Sequence, residues 1–546
     1  MGPQPSLSGL QTGSPLPGRR CNLTPQFRLP ILTARSPVRV RLSRLRKGTG
    51  TMWRKLCFLL CLHLLVSTGS APLFSQTVEP IRLHPKNPHY FLFRGKPTVL
   101  ITSGEHYGSV LNGGFDYKKY LATLAADGMN FTRIFGGSYV EVPATSFGIK
   151  RNTLAPLPGK FIAPWMRSEI GGYAGGGNKF DLTKWNPEYF ARYKDFLAEA
   201  AKAGIVVEIS LFSSTYGDVQ WTVSPFNSAN NVNNTEVGDW KKVTTIDNGN
   251  VLKFQEEYVR KLVRESNAFD NVIFEIQNEP WSDRPVLSSV VNPYLQKPAR
   301  DNYPNSVDLA DEASIAWQGK VAEWIASEEA ALLNKHLIAQ NYCNFYFPVR
   351  ALLPQVSIVN FHYAYAQAAL DNYGLDKAIG YDETGFLGRE DKVYLRQAWN
   401  FLLSGGGTFD GLDYSFSVGH EAGDDTEPNG PGGGSAKFRR QLAILQKFLQ
   451  RFSLTEMRPD RDVVKHAAGV SARVLSNPDR EYAIYLDGDG PADLTLELPK
   501  GYYSAEWINP ATGAVLHSES FGHSGGSKML TSPKFSEGAV LRLVNQ

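Results

Sequence analysis

Ile205-Val206-Val207-Glu208-Ile209-Ser210-Leu211 follows a stretch in which Tyr189, Tyr193, Leu197 and Ala200 recur at three-to-four spacing. The earlier stretch reads as an amphipathic helix, and the nearly unbroken apolar run reads as a strand. The same alternation extends in both directions. Val99-Leu100-Ile101 and Phe131-Thr132-Arg133-Ile134-Phe135 precede it as the first and second strands. Val272-Ile273-Phe274-Glu275-Ile276, His336-Leu337-Ile338-Ala339 and Val356-Ser357-Ile358-Val359-Asn360-Phe361 follow as the fourth, fifth and sixth. Ala378-Ile379-Gly380-Tyr381 and Thr408-Phe409-Asp410-Gly411-Leu412 bring the count to eight, and Phe254, Tyr258 and Leu262, then Trp317, Val321 and Trp324, mark helices between them. Eight β–α units predict an α/β fold, a (β/α)8 TIM barrel over residues 72–455. An open doubly wound sheet is the rival, and no Gly-rich phosphate loop follows the first strand to support its usual function.

Beyond Ser453–Pro459 the helical period stops. Short runs at Val470–Leu475, Tyr482–Leu486, Leu494–Leu498, Ser504–Ile508 and Val540–Val544 predict a small C-terminal all-β, sandwich-like domain over 460–546. Bracing the barrel is its expected role.

The chain has 546 residues with 57 Lys+Arg against 53 Asp+Glu, a net charge of +4. Eleven of those basic residues precede Glu79 and no acid does, which leaves 46 basic against 53 acidic residues from there on. The basic excess therefore belongs to the front. Residues 1–51, rich in Pro, Ser, Gly and Arg, read as a basic disordered leader and an over-extended start. Met52-Trp53-Arg54-Lys55, the apolar run Leu56–Val66 and the small residues Ser67 to Ala71 lay out a signal peptide over 52–71, with a secreted or periplasmic enzyme as the consequence. An organellar transit peptide is the alternative. The apolar run is too short for a stable membrane span, and no basic patch interleaved with aromatics supports nucleic-acid binding. Cys343 is the one thiol after the signal segment, expected to be buried and inert. Nothing in the sequence speaks to oligomeric state.

Long segments follow the second, third, fourth and eighth strands. Residues 137–184 hold Gly171-Gly172-Tyr173-Ala174-Gly175-Gly176-Gly177, residues 213–245 are rich in Asn and Ser, and 415–435 carry Gly419-His420-Glu421. In a barrel such loops gather at the C-terminal face of the strands, where active sites are built.

Two motifs end at that rim. Ile273-Phe274-Glu275-Ile276-Gln277-Asn278-Glu279-Pro280-Trp281 runs a strand into a proline, which stops ladder pairing and places Glu279 at the strand end. Glu275, of the same parity, is expected to point into the barrel as an ion-paired structural group. Alternation turns Asn278 away from Glu279's face, so both reach the cleft only if the strand end is bulged. Ile379-Gly380-Tyr381-Asp382-Glu383-Thr384-Gly385-Phe386 places Glu383 at the end of the seventh strand. Two carboxylates on one rim, about 5–5.5 Å apart, are what double-displacement glycoside cleavage requires.

With these motifs the chain resembles a clan A glycoside hydrolase, near the family 5 group of cellulases and mannanases. The resemblance covers residues 97–452 by architecture and is specific at Asn278-Glu279-Pro280 and at Glu383. It implies a glycosidase acting on a poly- or oligosaccharide, with Glu279 as acid/base, Glu383 as nucleophile and no metal or organic cofactor. It also implies that Asn278 holds the hydroxyl beside the anomeric carbon and that Arg133 steadies the nucleophile and keeps it ionised. His362 and Tyr363, in Phe361-His362-Tyr363, match the family's histidine and tyrosine pair, with Tyr365 as the competing tyrosine. The third strand lacks the family's histidine, and the eighth, ending Asp413-Tyr414-Ser415-Phe416, lacks its tryptophan platform. Trp281, Tyr414 or Phe416 is then expected to stack on the sugar, and Glu105 and His106 to contact it, with a buried ion pair as Glu105's other reading. A carbohydrate-binding scaffold on an inactive barrel is the alternative function. A metal-dependent hydrolase is a third, for which His362 and His106 fall short of three ligands.

Overall fold

Along Val206–Ser213 every residue is buried, because both faces of the strand are covered. Val207, Ile209 and Leu211 pack outward among the helices. Val206 faces an inner apolar layer, and Glu208 and Ser210 rise above it toward other acids and amides. The computed structural model describes residues 79–546 except 144–145, 291–305 and 428–429. The expected leader and signal peptide lie outside the described residues.

Eight parallel strands form one sheet: β1 Leu100–Gly104, β2 Phe131–Phe135, β3 Val206–Ser213, β4 Val272–Asn278, β5 Leu337–Asn344, β6 Ile358–His362, β7 Ala378–Glu383 and β8 Thr408–Leu412. Their order, β1-β8-β7-β6-β5-β4-β3-β2, is that of a TIM barrel. Where β1 meets β2, Asn130 bridges the seam: its side chain accepts from the Ile101 N–H at 2.8 Å and donates to the Val99 carbonyl at 2.8 Å.

The helices are α1 Tyr117–Ala126, α2 Pro187–Ala203, α3 Leu252–Ser266, α4 Glu312–Ala330, α5 Ala366–Asn372, α6 Asp391–Leu402 and α7 Ala436–Leu449. Helix α2 shows how local sequence sets its ends. Asn186 caps the Glu188 N–H, Pro187 takes the first helical position where no N–H is needed, and Gly204 closes the helix in the left-handed region. One β–α unit departs from expectation, since the segment between β5 and β6 contains no helix. The Gly-rich run of the second loop is the turn of a hairpin, Trp165–Gly171 with Asn178–Trp185, and Gly172, Gly176 and Gly177 there take positive φ.

Inside the barrel the inward parity changes character with height. Leu100, Phe131, Val206, Ile273, Ile358 and Ala378 make an apolar floor, closed by Phe91 and Phe93 of an N-terminal hairpin. Two residues farther along four of these strands stand Arg133, Glu208, Glu275 and Asn360, and four farther along β7 stands Asp382, all buried. An apolar floor beneath a polar layer fixes where chemistry is possible: at the C-terminal ends of the strands.

The C-terminal strands form two antiparallel sheets, one of six strands and one of three. In Glu481–Asp487, Tyr482, Ile484 and Leu486 face the sandwich core, while Ala483 and Tyr485 join the barrel's cluster. Tyr485 stacks on Trp399 of α6 with ring centroids 5.6 Å apart, so this strand is buried on both faces. Among the described residues no helix is long and apolar enough to cross a membrane.

Candidate active site

Glu279 follows directly on β4, and its backbone takes φ +46°. The left-handed residue does what a bulge was expected to do. The ladder between β3 and β4 continues through the pair Ser213 and Asn278, and the chain then turns so that Asn278 and Glu279 both reach the cavity. The Glu279 N–H is held by the Asn341 side-chain oxygen at 3.0 Å. Its carboxylate accepts from Tyr216 Oη at 2.9 Å and Tyr363 Oη at 3.1 Å, and lies 2.9 Å from His362 Nδ1.

The bulge lies on β7 instead. Phe361 pairs with Tyr381, but His362 pairs with Glu383, so Asp382 is the extra residue. Asp382 keeps the inward parity, with Oδ1 3.4 Å from His362 Nε2 and Oδ2 accepting from the Asn341 amide at 3.0 Å. Glu383 turns into the cavity and accepts from Tyr107 Oη at 2.9 Å and Tyr363 Oη at 2.7 Å. Tyr363 is therefore the tyrosine that touches both carboxylates. Tyr365 begins α5 and stacks on Phe345.

Arg133 ties the two carboxylates to one cation. It is bound through two nitrogens to Glu275, the ion-paired glutamate expected beneath the motif. Its Nη2 also donates to Asn278 Oδ1 at 2.7 Å, Asn278 Nδ2 donates to Tyr216 Oη, and Tyr216 donates to Glu279. Its Nη1 lies 3.5 Å from Glu383. A neighbouring acid, Glu208, is held by the Asn360 amide at 2.7 Å. Burial, with the charges of Glu275 and Asp382, pushes its carboxyl well above the usual range.

The charges settle unevenly. Burial raises the Glu279 carboxyl, but the hydrogen bond and charge of His362, with Tyr216 and Tyr363, outweigh it and hold Glu279 below its ordinary value. Burial and the charge of Glu279 hold Glu383 above its ordinary value, against His362 and Arg133. Arg133 pulls the Glu383 carboxyl down but does not outweigh the burial that raises it. Burial also opposes a charge on His362, yet Asp382 and Glu383 outweigh it and hold the imidazole well above 6.5.

This makes His362 a source of pH-dependent stability. A pKa raised on folding stabilises fully below the unfolded value and loses that stabilisation as pH rises through the folded one. Chemical denaturation from about pH 6.5 upward should show wild-type stability falling, with His362 contributing up to about 1.4 kcal/mol per pH unit. The His362→Gln variant should lack that share of the slope; equal slopes would refute the assignment.

The carboxylates open into a cavity of about 430 Å³, a volume that includes solvent at its mouth. His106, Asn278, Tyr363 and Tyr414 line it with the two glutamates. The ring of Tyr414 stacks beside that of His106, with centroids 6.0 Å apart, and His106 Nε2 lies 3.5 Å from Glu141.

Three residues expected to contact the sugar lie outside the cavity lining. Glu105, 1% exposed, makes neither the sugar contact nor an ion pair: it accepts the N–H groups of Gly108 and Ser109 at 2.9 Å each and so braces the loop after β1. Trp281 is buried, with its ring set at 87° to that of His362 behind the cavity wall. Phe416 is also buried, under Arg439. Sequence reasoning missed Tyr216, which sits in the Asn- and Ser-rich loop with no periodic signal, and Tyr107, which directly follows Glu105 and His106.

Backbone strain gathers here. Tyr107, Phe147, Tyr216, Glu279, Tyr363 and Phe386 all line the cavity and all have positive φ, half of the twelve non-glycine residues that do among those described. Glu279, His362 and Glu383 each offer one atom within 4.8 Å of the others, as do Glu208, Glu275 and Asp382. Counting histidines alone missed the first of these as a potential ligand set.

No family model matches the sequence, and no curated protein matches it. Solved structures do. One titled a glycoside hydrolase is 12% identical, with 86% of this chain and 98% of that chain covered at a TM-score of 0.55. A glycoside hydrolase family 5 protein from Bacteroides vulgatus is 12% identical, with 85% and 93% covered, also at 0.55. At this identity the likeness is one of fold.

Proposed function

We propose that the chain is a retaining glycoside hydrolase, exported by the segment from Met52, that cleaves O-glycosidic bonds of a poly- or oligosaccharide. One observation carries this reading: Glu279 and Glu383 present carboxylate oxygens within 4.8 Å of each other across one cavity. Carboxyl groups of inverting enzymes stand about 6.5–9.5 Å apart to admit a water, whereas retaining pairs stand about 5–5.5 Å apart. The glycoside hydrolases that share the fold support the glycosidase part of this reading.

In the first step Glu383 attacks the anomeric carbon while Glu279 gives its proton to the leaving oxygen. In the second, Glu279 takes a proton from water, the water oxygen bonds to the anomeric carbon, and the Glu383 ester is released. With Glu383 raised and Glu279 lowered, a proton shared by the pair rests on Glu383, the wrong carboxyl for this start. Tyr363 supplies the transfer: its hydroxyl, 2.7 Å from Glu383 and 3.1 Å from Glu279, accepts one proton and passes on its own. Substrate then meets an ionised nucleophile beside Arg133.

A fluorinated glycosyl fluoride should trap the glycosyl-enzyme, and peptide mapping should find the label on Glu383. A label on any other residue would overturn the roles. The grouping of His362 with both glutamates favours a second reading, metal-assisted hydrolysis. Activity that survives exhaustive chelation rejects it; loss on chelation and recovery with a divalent cation would replace the first reading.

A further inference from the structure

Two cavity-lining side chains differ from the rest. Phe147 and Phe386 are 45% and 48% exposed, whereas the rings of Tyr107, Phe135, Tyr139 and Tyr414 are buried. Both phenylalanines hold left-handed backbone, at φ +51° and +62°, a conformation uncommon for non-glycine residues and strained for a bulky one. Neither burial nor backbone preference accounts for a large apolar ring at either place. Exposed aromatic surface at the mouth of a cavity is surface that a ligand covers.

Their positions say which part of a ligand. The Phe147 ring meets Tyr216 at 90°, centroids 5.4 Å apart, and Tyr216 donates to Glu279. The Phe386 ring meets Tyr363 at 81°, again at 5.4 Å, and Tyr363 donates to Glu383. Tyr363 also donates to Glu279 at 3.1 Å, so each exposed ring is one tyrosine removed from Glu279, where the leaving oxygen is protonated. The Phe386 N–H donates to the Pro431 carbonyl at 2.5 Å, fastening the loop after β7 to the loop after β8, and Pro431 lines the same cavity.

We infer that Phe147 and Phe386 form a leaving-group subsite that takes an aglycone with a flat apolar face, either an aryl ring or the C–H face of a second sugar. The inference rests on the glycosidase reading and deepens it: the buried part of the cavity takes the glycosyl unit, and the two rings select what departs. Stacking on an aromatic face contributes enough to change kcat/KM by roughly tenfold.

The test compares glycosides that share one glycosyl unit and differ in leaving group: para-nitrophenyl, a second sugar, or methyl. Phe147→Ala and Phe386→Ala should each lower kcat/KM roughly tenfold for the aryl glycoside, the disaccharide or both, and much less for the methyl glycoside. Which of the two suffers identifies the source of the flat face. Phe→Tyr at either position, which keeps the ring, should restore the preference. Breakdown of the trapped glycosyl-enzyme, from which the leaving group has gone, should keep its wild-type rate. An equal loss on methyl and flat leaving groups, or slower breakdown of the intermediate to the same extent, would overturn the subsite. If wild type cleaves none of these compounds, calorimetric binding of the same glycosides separates the two readings. A flat-over-methyl preference that the alanine variants abolish keeps the aromatic pair and removes the hydrolase, and no preference in wild type removes the pair as well.

Discussion

Replacing Glu383 by glutamine is expected to lower kcat/KM on a cleaved aryl glycoside by on the order of 10⁴-fold or more, with the fold intact. The side chain keeps its shape; Tyr107 and Tyr363 now bind different oxygens of Glu383 at 2.9 and 2.7 Å, and in glutamine the amide oxygen accepts from one of them while the NH2 donates to the hydroxyl oxygen of the other. What is lost is the bond to the anomeric carbon. Burial already raises the Glu383 carboxyl, so a neutral amide there costs the folded state little. Near-native activity in Glu383→Gln would sink the mechanism. Glu279→Gln should instead depend on the leaving group, losing least with an activated aryl group that departs without a proton.

The largest stability effect should come from Arg133→Met. Arg133 and Glu275 are both fully buried. Removing the cation strands an ionised carboxylate in the interior, which costs about 3–5 kcal/mol. Denaturant titration of Arg133→Met measures it. The double variant Arg133→Met/Glu275→Gln should recover most of the loss, since the uncompensated charge goes with its partner. A single variant as stable as wild type would show that the pair is not what holds the polar layer.

The barrel was legible because its strands are covered on both faces. Val206–Ser213 and Val272–Asn278 are buried at every position and so read as continuous apolar runs. The hairpin Trp165–Gly171 with Asn178–Trp185 was not legible, since much of it is exposed and a loop's polar composition hides a two-residue period. Val515–His523 escaped for the same reason, with no residue buried. At the site, strand-end position identified Glu279 and Glu383, but the direction each side chain takes depends on a positive φ in one and a bulge in the other. Neither feature has a residue-type signature at these positions. Tyr216 reaches Glu279 from a loop whose path only the folded structure sets. Glu105 was misread because its place beside a strand end matched a substrate contact, while its carboxylate was needed by two backbone N–H groups.

The sheet that covers Trp399 has consequences for how the chain comes off the ribosome. Its strand Ala539–Asn545 lies between Glu481–Asp487 and Gly501–Ile508, not at an edge. The barrel's strands and helices are all synthesised before this strand emerges, so the patch around Trp399 and Tyr485 waits without its finished cover. Strand Ala539–Asn545 therefore completes the shielding of an apolar face laid down more than a hundred residues earlier. A nascent or prematurely stopped chain would display that face as a mark by which chaperones and proteases recognise an unfinished molecule.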